Sequence, residues 1–105
     1  MTVNQELLEI RKSIDNLDNA LVAVLAERFR LTERVGFLKR DLNLPPEDRE
    51  RESAQEKHYS ELASSYGLDR ATLIEIMRTI ISQVKRRHVE IRAGAVGGAS
   101  GDTPG

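Results

Sequence analysis

Leu7, Ile10, Ile14, Leu17, Leu21, Val24, Arg28, Leu31, Val35 and Leu38 follow one another at alternating spacings of three and four, which places them on one side of a single long helix. All but Arg28 are apolar. A guanidinium does not shed its charge, so facing inward it requires an anion from the protein or from a ligand. A polar residue in an apolar seam also serves to fix register or oligomer state, and the stripe alone is compatible with both roles. A second three-four stripe, Ile74, Met77, Ile81, Val84, His88 and Ile91, is interrupted by His88, which taken by itself reads as a partly exposed residue near a helix end. Between the two, Asp48, Glu52, Gln55, Tyr59, Leu62 and Tyr66 keep the spacing but are polar in their first half. Three inward faces with polar groups suggest a shared polar pocket.

The punctuation of the chain sets the boundaries. Residues from about Asn4 to Leu42 contain no proline and a single glycine, Gly36, and predict one helix that Pro45 and Pro46 stop. Pro46 suits the first turn of a second helix, with Glu47 and Asp48 at its positive end. In Tyr66-Gly67-Leu68-Asp69, Gly67 fits a left-handed cap, Leu68 the contact after it, and Asp69 the N-cap of a third helix running to about Arg92. The expected organisation is a helical domain over residues 1–92 and a disordered glycine-rich tail over 93–105. Roughly 55 Å of first helix cannot be covered by partners of about 30 and 35 Å. An all-α, three-helix subunit with one very long N-terminal helix, intertwined as a homodimer, is the simplest way to bury what remains.

Composition narrows the function. With 105 residues and 39% hydrophobic content this is one small domain that gains from burial against a partner. The absence of cysteine removes disulfides and thiolate chemistry, and two histidines far apart in sequence argue against structural zinc. Sixteen basic against seventeen acidic residues argue against a nucleic-acid binder. Neither a membrane span nor a signal-peptide pattern is present, so a cytoplasmic protein is expected.

Arg28 is accompanied on the first helix by Lys39, about 16 Å further along and rotated by about 20°, so the two long side chains can grip one small ligand. Arg11 lies about 25 Å from Arg28 and is rotated by about 100°, so it reaches such a ligand only from a second, antiparallel subunit. Asp48, Arg51 and Glu52 share one face at the start of the second helix, where a solvated, salt-bridged helix start is the simpler explanation. The run Lys85-Arg86-Arg87 reads as a solvated face near a helix C-terminus. Fixed cations suit ligand carboxylates and the carboxylates suit hydroxyl donors, which implies a small hydroxylated dicarboxylate. No acyl-transfer cluster and no phosphate loop is evident, so any chemistry relies on orientation and electrostatics.

Leu7-Leu8-Glu9-Ile10-Arg11, Ile14-Asp15-Asn16-Leu17-Asp18, Leu25-Ala26-Glu27-Arg28, Val35-Gly36-Phe37-Leu38-Lys39 and Asp48-Arg49-Glu50-Arg51-Glu52, in this order and spacing, resemble the all-helical AroQ class of chorismate mutases. The resemblance extends over about residues 6–91. It implies a dimer with two active sites that converts chorismate to prephenate by a one-step pericyclic rearrangement in aromatic amino-acid biosynthesis, with no cofactor. Carried over, Arg11 of the neighbouring subunit and Arg28 bind substrate carboxylates, and Lys39 holds a carboxylate and the ether oxygen whose bond breaks. Asp48 and Glu52 orient the ring hydroxyl, and Arg51 helps set the charge of the pocket.

Two positions depart from the family pattern. Val84 and His88 stand where many bacterial members have serine and, one turn later, glutamine. By the resemblance, Val84 removes a side-chain contact to substrate, whereas His88 lies where the family places the second donor to the ether oxygen, and an imidazole can donate through one ring nitrogen. Lys39, His88 and Arg28 are thus the expected catalytic groups. An isochorismate pyruvate lyase resembles this fold and shares the cationic pocket, but Glu52 favours the mutase. A non-enzymatic helical dimerisation or regulatory module, in which Arg28 and Lys39 merely pair with glutamates, is the alternative of a different class.

Overall fold

The computed structural model describes residues 2–94, and the tail expected to be disordered lies largely outside the described residues. Three helices make up the described chain: α1 (Val3–Asp41), α2 (Arg49–Tyr66) and α3 (Arg70–Arg92). The all-helical class and the very long first helix are as the periodicity predicts. Two compact units divide within α1, Met1–Thr32 and Glu33–Gly105.

In the first unit, Thr2 opens α1 one residue earlier than expected. Its hydroxyl accepts from the Gln5 N–H at 3.1 Å while the Gln5 side chain accepts from the Thr2 N–H at 2.8 Å, a reciprocal capping box. The apolar stripe lies largely in solvent, with Leu7 42%, Ile14 49%, Leu17 68% and Val24 66% exposed.

The second unit begins with the last turns of α1. These end at Asn43, which takes the left-handed conformation (φ 57°), while the Leu44 N–H bonds back to the Lys39 carbonyl at 2.7 Å. An αL asparagine cap, with the prolines just beyond it, therefore ends the helix. The start of α2 corrects a second expectation: Pro46 lies in the connection, and Asp48 is the N-cap, its carboxylate accepting from the Arg51 N–H at 3.0 Å. Gly67 is left-handed (φ 68°), as read from the sequence, and the Gly67 and Leu68 N–H groups both bond to Ala63 O. Asp69 then caps α3 through the Thr72 N–H (2.9 Å) and hydroxyl (2.7 Å). Those two bonds, the hydroxyl first, hold the Asp69 carboxyl below its ordinary range.

So short a connection makes α2 and α3 an antiparallel hairpin. Tyr59, Ala63, Ile74 and Ile91 form its core together with the buried His88. Ala63 was not on the expected inward face, whereas Tyr66, which was, is the last residue of α2 and is 76% exposed. Polar links run along the hairpin, Glu52 to Lys85, Glu56 to Arg78 at 2.7 Å and Arg70 to the Ser60 hydroxyl at 2.9 Å. Lys85 and Arg87 are thus not a solvated face: Lys85 pairs with Glu52, and Arg87 with Glu33 at the end of α1 and with Glu90.

Candidate active site

Gly36 is closely packed against α3. A Cβ there would lie 2.7 Å from His88 Cδ2, 2.8 Å from Ile91 Cδ1 and 3.2 Å from His88 Nε2. Glycine is what the packing demands, since any side chain would have to displace a buried ring and a buried methyl group. The sequence reading had Gly36 as the single glycine of the first helix and as part of the Val35-Gly36-Phe37-Leu38-Lys39 segment, with no packing role. Its role was hidden because close approach depends on which residue of α3 faces it. His88 is 5% exposed, so the reading of it as a partly exposed helix-end residue is overturned: its ring and Ile91 both pack against Gly36 of α1.

Lys39 stands three residues beyond Gly36, one helical turn away on a neighbouring face. It is half-buried, and its ammonium donates to the Pro46 carbonyl at 3.2 Å. That bond ties the end of α1 to the connection leading into α2. From α3, the Arg92 guanidinium donates to the Leu44 carbonyl and, at 3.1 Å, to Asn43 Oδ1. The connection is therefore held from α1 and from α3, and it delivers Asp48, the first residue of the carboxylate group, in a fixed place. Arg92 escaped the sequence reading because its targets are a backbone carbonyl and a cap residue more than forty positions earlier.

Asp48 caps α2 through Arg51 N and so carries a structural bond as well as a candidate functional charge. Arg51 is exposed, and Glu52, one helical turn after Asp48, is half-buried and paired with Lys85. Val84 is half-buried on α3, one turn before His88. Lys39, Asp48, Arg51, Glu52, Val84 and His88 accordingly all belong to the second unit. Arg28, half-buried, and Arg11, exposed, belong to the first.

Between α2 and α3 lies a cavity of about 320 Å³, with Tyr59, Ile74, Met77 and Ile81 along its apolar side and Glu52 and Lys85 among its polar lining. No group of metal-ligating side chains is assembled among the described residues, and no described helix is long and apolar enough to cross a membrane. The set has the makings of a binding site for an anion with hydroxyl groups: a half-buried ammonium, a buried imidazole, and carboxylates fixed by capping and ion pairing.

Comparison with known proteins gives these residues a context. The family described as chorismate mutase type II matches residues 10–89. A chorismate mutase of Methanocaldococcus jannaschii is 33% identical over 81 residues, covering 77% of this chain and 82% of that protein. A bifunctional chorismate mutase/prephenate dehydratase of Aquifex aeolicus is 34% identical over 96 residues, 89% of this chain, which spans only 26% of that longer protein.

Proposed function

This chain belongs to the chorismate mutase type II family, and we propose that its reaction centre is formed by Arg28, Lys39, Asp48, Arg51, Glu52, Val84 and His88 of one subunit with Arg11 of a second. The enzyme is a chorismate mutase, an isomerase that turns chorismate into prephenate. Within one molecule the ether C–O bond breaks as a C–C bond forms. No atom is gained or lost, and the protein supplies neither nucleophile nor proton.

What it must supply is conformation and charge. Chorismate is a flexible dianion, and only the folded conformer, with the side chain over the ring, can react. In our assignment Arg28 and the partner's Arg11 hold the carboxylates, while Asp48 and Glu52 accept from the ring hydroxyl. Selecting that conformer converts binding energy into lowered activation entropy. As the ether bond stretches, negative charge grows on the oxygen, and we assign Lys39 and His88 as the donors that meet it. Val84 contributes a wall and no hydrogen bond, and Arg51 adds positive potential at the mouth of the carboxylate pair.

One observation carries this assignment: the His88 imidazole is buried against Gly36, one helical turn from Lys39. A buried ring at the position expected of a donor fits a preorganised group, where an exposed one would not. Pairing of two subunits is supported by the stripe of α1, whose Ile10, Leu21 and Leu31 are 51%, 57% and 49% exposed, more apolar surface than a monomeric helix ordinarily leaves in water.

The direct assay incubates the purified protein with chorismate and, separately, with isochorismate. We expect chorismate to be consumed with stoichiometric prephenate, and pyruvate release from isochorismate to be far slower. Dominant pyruvate release would make the protein a lyase, and inertness toward both substrates would leave a helical dimerisation module.

A further inference from the structure

We propose that Lys85 is a positioning residue for the mutase reaction, acting through Glu52; this rests on the assignment of Glu52 as an acceptor of the substrate hydroxyl. Lys85 projects from α3 and bonds Glu52 Oε1 on α2, with Glu47 Oε1 a further 4.0 Å neighbour. The pair is only partly solvated, the Lys85 side chain being 40% and that of Glu52 28% exposed, and it lies among the polar groups lining the cavity between α2 and α3.

Two consequences follow from the geometry. The first is orientation. A glutamate one turn into a helix has three side-chain torsions to settle, and a bond from a neighbouring helix to one oxygen removes most of that freedom before substrate arrives. A carboxylate offers about four lone-pair sites, so engagement of Oε1 leaves ample capacity to accept a hydroxyl. The second is charge. Asp48 and Glu52 are both anionic, and the substrate is a dianion; an uncompensated Glu52 would oppose binding of the molecule it is meant to orient. Lys85 offsets that charge at contact distance, in a place where partial burial weakens solvent screening. A purely structural ion pair fastening α2 to α3 would instead change stability and leave the kinetic constants alone.

The expected signature is in KM. Repulsion and misorientation act on bound substrate and on the transition state alike, so Lys85→Met should raise KM about tenfold, equivalent to ~1.4 kcal/mol, with kcat little changed. Lys85→Arg should restore most of the loss, because it returns the cation. In a Glu52→Gln background the same Lys85→Met exchange should have almost no further effect, since the group it acts through no longer carries the charge. The experiment is steady-state kinetics on parent, Lys85→Met, Lys85→Arg, Glu52→Gln and the Glu52→Gln/Lys85→Met double variant, at matched helical circular dichroism. Lys85→Gln replaces the methionine variant should that one lose helical signal. Parental KM in Lys85→Met, or an equal loss with and without Glu52, overturns the proposal. Parental kcat/KM in Glu52→Gln has a different meaning: it removes Glu52 from the substrate site and takes the underlying assignment with it.

Discussion

Gly36→Ala is the substitution in which fold and chemistry are most tightly joined. Alanine has a helix propensity better than that of glycine by about 1 kcal/mol, so with open space around it the exchange would stabilise α1. The space is not open. The new methyl carbon would sit 2.7 Å from His88 Cδ2 and 2.8 Å from Ile91 Cδ1, against an optimum near 3.5–4.0 Å for carbon pairs. His88 is 5% exposed and Ile91 0%, so neither can swing into solvent, and the α1 end and α3 must part by roughly 1 Å. Overpacking of this kind costs about 1–3 kcal/mol, leaving a net loss of about 0–2 kcal/mol once the propensity gain is counted. The catalytic effect should be larger, because a shift of about 1 Å in a positioned group can cost on the order of 100-fold in rate. We therefore expect kcat to fall by about ten- to a hundredfold while urea unfolding, run at fixed protein concentration, shifts only modestly. Ile91→Val deletes the Cδ1 atom and one of the two clashes. Added to Gly36→Ala, it should recover part of the stability but not kcat, since the His88 contact remains. A Gly36→Ala protein that is more stable than the parent and fully active would refute both the close approach and the role given to His88.

Lys39→Ala and Arg28→Ala should each lose most of their activity while remaining helical, the first through loss of a preorganised donor at a developing oxyanion, worth about 2.7–4 kcal/mol, and the second through loss of the group that holds a substrate carboxylate; a more stable and fully active Arg28→Leu would show that the arginine is only a seam residue. His88→Gln should keep substantial kcat, because the amide also donates, whereas His88→Ala should not; equal rates for the two would remove the ring from the reaction. Asp69 gives a pH test of the fold. Its carboxyl is lowered by the Thr72 hydroxyl and backbone bonds, so its contribution is present above the ordinary carboxylate range and is lost as pH falls through the depressed folded value. Asp69→Asn should keep the cap and flatten that dependence, and Asp69→Ala should be less stable than the parent at neutral pH, the two converging in acid; a constant gap at all pH values would contradict the assignment.

The three-four spacing of Ile74, Met77, Ile81, Val84, His88 and Ile91 was sufficient to place α3 and its inward face, because a helix buried on one side imprints its period on the sequence. The Gly67 and Asp69 caps were legible for a similar reason: each depends on local backbone geometry that few residues satisfy. What remained hidden depends on contacts between distant segments. Nothing in the neighbourhood of Gly36 says that His88 will meet it, nothing in Lys85-Arg86-Arg87 tells the paired cations from the solvated one, and Arg92 binds a carbonyl that any residue could have offered. Asp48 was read as a charge in the first turn of α2; that it is the cap itself follows from where the chain leaves Pro46, which composition does not determine. Of the candidate site, the residue identities were legible from their resemblance to a family, while the packing that fixes His88 and Glu52 was not.

The central claim, a mutase site completed by a second subunit, is tested most directly by mixing Arg11→Ala and Arg28→Ala proteins under conditions that allow subunit exchange. Each alone should be nearly inactive. With free exchange of equal amounts, half of the dimers are mixed and each of these has one intact site, so activity should rise to about a quarter of the parental value per subunit. Failure to recover activity, with exchange demonstrated by differently tagged chains, would show that Arg11 and Arg28 do not meet across two subunits.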